Sequence, residues 1–142
     1  MQAILAVTVP FFALVLAGCG TLPPPGPQPA SVALPPKDDG NLATIAKAST
    51  PPGELSGFRL LPLGPYALEA RLQLIQRARH SLDLQYYVLE DDNTGRTLLR
   101  ALRDAAGRGV RVRLLVDDLF TSHSQQMLRA LADHPQIEVR LF

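Results

Sequence analysis

Nine of the chain's 13 prolines fall between residues 23 and 52, and that crowding decides where a fold can begin. Proline lacks a backbone N–H and holds φ near about −65°, so a stretch such as TLPPPGPQPASVALPP sustains neither a helix nor a central strand. Residues 20–57 therefore read as a semi-extended, disordered tether, rich in Pro, Ala, Gly and Ser, with a reach on the order of 100 Å at ~3.1 Å per residue. Residues 41–48 could add a helical turn or two. The foldable remainder, residues 58–142, is short enough to bury only a modest share of its surface.

Ahead of the tether lies an uncharged apolar run, residues 3–17 (AILAVTVPFFALVLA). It is shorter than the roughly 20 residues a spanning helix needs, and it matches the apolar core of a secretory signal. It ends Leu16-Ala17-Gly18-Cys19. No Lys or Arg precedes it, a departure from the basic start of such signals that points to an initiation site upstream of Met1. The single cysteine excludes an internal disulfide and a Cys-rich zinc site.

Within residues 58–142 the hydrophobic spacing alternates between two periods. Residues 58–61 (FRLL) read as a short strand. Residues 66–79 read as an amphipathic helix burying Leu68, Leu72, Ile75 and Ala78, with Leu74 widening the stripe. Residues 82–88 alternate, with Leu82, Leu84, Tyr86 and Val88 on one side and Asp83, Gln85 and Tyr87 on the other. A turn at residues 91–95 offers Asn93 and Thr94 as helix caps. The helix that follows should bury Leu98, Leu99, Leu102, Ala105 and Ala106 and end at Gly107 and Gly109. Residues 110–116 form another strand, stopped by Asp117-Asp118; residues 124–132 form a helix, stopped by His134-Pro135; residues 137–142 form a last strand. The order β-α-β-α-β-α-β predicts an α/β layer with a largely parallel sheet.

Charge narrows the partners. Net charge is +1, and no basic stripe of the kind nucleic acid requires is visible. Asp117-Asp118 at a strand's carboxyl end lies where open α/β sheets place ligands. The pair could bind magnesium, but the last lysine is Lys47, where a receiver domain needs one late in the sheet, and an aspartate-nucleophile phosphatase needs Asp-x-Asp. The plainer reading is one capping acid and one solvated acid. Gln85 and Tyr87, on the side of the strand that Asp83 shares, are candidates for facing a site or a second domain. His80, His123 and His134 sit at element ends without metal-ligand spacing, and Ser122 and Ser124 read as helix caps.

Two resemblances follow. Leu16–Cys19 resembles the bacterial lipobox, which implies cleavage between Gly18 and Cys19, acylation of Cys19, and a periplasm-facing place in the cell envelope, with Gly20 pointing to the outer membrane. Residues 70–88 (ARLQLIQRARHSLDLQYYV), 92–95, 108–118 (RGVRVRLLVDD) and 134–142 (HPQIEVRLF) together resemble the phospholipase D superfamily, most of all the membrane-associated, C-type cardiolipin synthase branch. That resemblance implies a two-lobed enzyme acting on phospholipid without a metal or other cofactor. Each lobe gives one His-x-Lys-x4-Asp motif. One histidine attacks phosphorus, the other protonates the leaving alkoxide, and the lysines hold the phosphate oxygens.

No such motif residue carries over. Two positions after His80, His123 and His134 stand Leu82, Gln125 and Gln136. The expectation is a signal peptide (1–18), a lipidated tether (19–57) and an incomplete amino-terminal lobe (58–142), the rest of the enzyme being absent and these residues inactive alone. The competing expectation is a small periplasmic lipoprotein that uses the half-lobe for binding or scaffolding.

Overall fold

A computed structural model describes residues 29–53, 56–121 and 123–142. Gly18, Cys19 and Ser122 lie outside the described residues. Residues 33–142 make one compact unit. In chain order its elements are α1 (Asn41–Ser49), α2 (Gly64–Arg77), β1 (Ser81–Tyr86), α3 (Asn93–Gly107), β2 (Arg111–Val116), a 3-10 turn (Asp118–Phe120), α4 (Gln125–Ala132) and β3 (Ile137–Leu141).

The fold is α/β, with a three-stranded sheet in the order β1-β2-β3 and both pairings parallel. Ser81 lies opposite Arg111, and Val112 opposite Ile137. Parallel neighbours need a crossover, and α3 and α4 supply the two. Val112, Leu114 and Val116 point alternately to one face of the central strand and are essentially sealed from solvent. Ile75 from α2, Leu98, Leu99, Leu102, Ala105 and Ala106 from α3, and Leu128 and Leu131 from α4 join them in a single core. The opposite face is polar. Register sets Asp83, Arg113 and Glu138 side by side across the three strands, a row of alternating charge.

Two of the helices have a local reason to start or stop where they do. Pro65 stands in the first turn of α2, where its missing N–H costs nothing. The α3 helix is capped by Asp92, whose Oδ1 accepts from the Gly95 amide at 2.7 Å. This corrects the expected caps, Asn93 and Thr94: the carboxylate one residue earlier reaches the third amide of the helix, and both later residues are already helical. At the other end Gly107 is the last helical residue, and Gly109, at φ +89°, makes the left-handed turn into β2.

Four further expectations are corrected. Residues 58–61 form no strand; Phe58 is 97% exposed and Leu60 is 85% exposed. A strand exists only by pairing, and no described neighbour offers these residues a ladder. The β1 strand ends at Tyr86, and the bend after it breaks the alternation, so Val88 is exposed and Leu89 is buried. Leu74 stands on the wet side of α2, since the sheet and α3 cover only the stripe through Ile75. Ser124 does precede α4, but its hydroxyl donates to the Thr121 carbonyl at 3.2 Å and caps no helical amide.

Residues 41–49 form a full helix inside the proline-rich stretch, although none of its side chains is buried. Just before it, Asp39 Oδ1 lies 2.8 Å from His80 Nε2, at the start of β1.

Candidate functional site

The parallel sheet gathers its strand ends into one rim, and the residues singled out from the sequence meet there. Tyr86 and Tyr87 leave β1, Asp117 and Asp118 leave β2, and Phe142 follows β3. Backbone bonds tie the three ends together: the Asp117 amide donates to the Tyr86 carbonyl at 3.2 Å, the Phe142 amide to the Val116 carbonyl at 3.2 Å, and the Asp118 amide to the Phe142 carbonyl at 3.3 Å.

The side chains at this rim differ in what they can do. Asp117 Oδ1 accepts from the Leu119 amide at 2.9 Å, closing the 3-10 turn that follows β2. Asp118 is exposed, and its carbonyl receives both the amide and the hydroxyl of the fully buried Thr121. The pair therefore divides: one carboxylate organises backbone and the other faces water. Gln85 is exposed near the end of β1, and Tyr87 is 64% exposed. Tyr86 turns toward the core. Burial pushes its phenol above the ordinary value, against the opposing field of Arg71.

Beside the rim, a cavity of about 240 Å³ opens between α4 and β3, lined mainly by Thr121, Gln125, Leu128, Arg129, Val139 and Leu141. The histidines are elsewhere: His80 is bound to Asp39, His123 is exposed, and His134 Nδ1 accepts from the Gln136 amide at 3.2 Å. Among the described residues, no three His, Cys, Asp or Glu side chains gather as a metal site would need.

Charge on the polar face of the sheet is internally matched. Arg113 Nε donates to Asp83 Oδ1 at 2.6 Å, and Arg140 pairs with Glu138. The Asp83 carboxyl lies below the usual carboxylate range, chiefly because of the bond from Arg113; burial opposes this, and the fields of Arg113 and Arg111 add to it.

Sequence reading missed one grouping. A cavity of about 370 Å³ at the opposite end of the sheet is lined by Arg77, Arg79 and Arg108. The three come from α2, the turn before β1 and the end of α3, and no spacing rule links them.

Comparison with known proteins bears on the whole arrangement. The chain is 48% identical over 100 residues to cardiolipin synthase C of Escherichia coli K12, a match covering 70% of this chain and 21% of that protein. It is 38% identical over 66 residues to cardiolipin synthase A of Pseudomonas fluorescens, covering 46% of this chain and 14% of the relative. The chain thus spans about a fifth or less of these relatives' length. NucT from Helicobacter pylori aligns structurally with 26% identity and a TM-score of 0.45, over 54% of this chain and 46% of that one. Residues 72–142, half of the chain and all of its sheet, match the family described as cardiolipin synthase, PLD-like domain, and the chain belongs to that family.

Proposed function

We propose that these residues form the opening part of a PLD-like lobe in a bacterial envelope phosphatidyltransferase or phosphodiesterase, and that they are inactive on their own. The observation that carries the reading is the 48% identity to a cardiolipin synthase, spread over only 21% of that protein. It agrees with the sequence, in which no histidine is followed two positions later by lysine. What the segment contributes is a scaffold: three parallel strands whose carboxyl ends, at Tyr87, Asp117 and Phe142, make a rim on which further segments could seat catalytic groups. The substrate of the whole enzyme, in this reading, is phospholipid.

The same proposal holds the protein to the membrane through acylated Cys19, facing the periplasm, with the outer membrane favoured. Support comes from the apolar run ending Leu16-Ala17-Gly18-Cys19. Several acyl chains, at about 0.8 kcal/mol per buried methylene, would anchor firmly where one is marginal. Among the described residues, no helix is long and apolar enough to cross a membrane.

Two measurements test the two halves. The full chain, expressed in a bacterium without its own cardiolipin synthases, should form neither cardiolipin nor phosphatidic acid from phosphatidylglycerol; turnover would overturn the scaffold reading. Radiolabelled palmitate should enter the chain and be lost on Cys19→Ser; an unlabelled wild-type chain would overturn the anchor.

A further inference from the structure

The amino-terminal ends of β1 and β2 lie roughly 20 Å from the rim, at ~3.3 Å per residue for six-residue strands. Here the chain builds a second concavity of about 370 Å³, walled by Asn41 of α1, Gln76 and Arg77 of α2, Arg79 and Arg108, with Ala78 and Val110 as its apolar floor. Its volume falls at the lower end of the range for small-molecule sites, about 300–1,000 Å³.

Three arginines and no acidic residue line it. Among the described residues, none of the three forms an ion pair, although Arg96, Arg113 and Arg140 each do. Asp39, just before α1, is engaged with His80 and is not among the lining residues. Arg108 has a defined duty: its Nη2 donates to the carbonyls of Ile75 at 3.0 Å and Gln76 at 3.2 Å, at the end of α2. Those two bonds satisfy carbonyls of the last turn of α2 and offset the negative end of the helix dipole, which would otherwise repel an anion. Arg77 and Arg79 are left exposed at the mouth.

The geometry points to this cavity as a binding site for the phosphodiester of an anionic phospholipid headgroup, separate from the rim. Guanidinium is the side chain best matched to phosphate oxygens, and several together at one mouth give geometric selectivity that scattered charges lack. The choice of lipid over free phosphate rests on the anchor at Cys19, because α1, which walls the cavity, lies on the segment that would lead back to the membrane.

The test uses the full chain carrying Cys19→Ser, so that no acyl chain contributes, mixed with vesicles of phosphatidylcholine alone or with added phosphatidylglycerol. Sedimentation should show binding only with phosphatidylglycerol. R77Q/R79Q should weaken it roughly thirtyfold, as loss of two surface arginines at about 1 kcal/mol each predicts, and R79E alone, at a residue outside every helix and strand, should act in the same direction. The control R100Q/R103Q, on the exposed side of α3, should stay within about twofold, since general charge attraction alone would treat both pairs alike. Equal loss in both double variants, or none in R77Q/R79Q, overturns the site. Binding of inorganic phosphate without binding to vesicles overturns the lipid assignment. Palmitate labelling of the unsubstituted chain reads the anchor separately, so either idea can fail without the other.

Discussion

Arg113 reaches across the pairing of β1 and β2 to donate from Nε to Asp83 Oδ1 at 2.6 Å, and the two residues are register partners. The contact holds Asp83 ionised at lower pH than a free aspartate would allow, with the bond from Arg113 as the main cause. A depressed carboxylate stabilises the fold above its unfolded value, about 3.9, and loses that contribution as pH falls through the lower folded value. Asp83→Asn should therefore lower the melting temperature slightly at pH 7. The gap to the unsubstituted chain should close only below about pH 4. Thermal melts from pH 7 to pH 2 would show it, and a gap constant across that range would contradict the assignment.

Asp92 caps α3, and the adjacent Asn93 and Thr94 do not. Asp92→Ala should cost about 0.5–2 kcal/mol, the usual loss for a capping side chain. Asn93→Ala and Thr94→Ala should each stay within roughly 0.5 kcal/mol, as surface changes generally do. Chemical denaturation of the three variants separates them, and a larger loss at residue 93 or 94 would place the cap wrongly.

Gly95 has no room for a side chain. A Cβ there would lie 2.0 Å from the Glu90 carbonyl oxygen, and the obstacle is backbone. Gly95→Ala should destabilise toward the upper end of the about 1–3 kcal/mol typical of overpacking, despite alanine's better helix propensity. A variant as stable as the parent would show that the turn before α3 can move.

Leu102 is fully buried where α3 meets the sheet. Truncation to alanine should cost about 2–5 kcal/mol, whereas the same change at exposed Leu74 should be nearly neutral. Paired denaturation curves of the two variants check the contrast.

What the sequence disclosed follows from how local each signal is. Leu98, Leu99, Leu102, Ala105 and Ala106 lie on one helical face, and Val112, Leu114 and Val116 on one strand face, so α3 and β2 were legible from spacing alone. Leu74 and residues 58–61 were misread because hydrophobic character says what can be buried, while only a neighbour decides what is. The bend after Tyr86 exchanged Val88 for Leu89 without changing composition. At the rim, the position of Asp117 and Asp118 was legible because two acids end a β-branched run. The use of Asp117 to hold the Leu119 amide was not. Arg77, Arg79 and Arg108 are brought together by α2 and α3 packing side by side, a relation invisible to any pattern within one element.

The parallel register also sets a timetable. Ser81 pairs with Arg111 and Val112 with Ile137, so neither strand pair can close as a hairpin during synthesis. At about 5–20 residues per second, β1 leaves the ribosome seconds before its partner exists. Such late pairing keeps the chain threadable. For a polypeptide that must pass unfolded through a narrow export channel, as the proposed leader requires, slow sheet assembly is an asset.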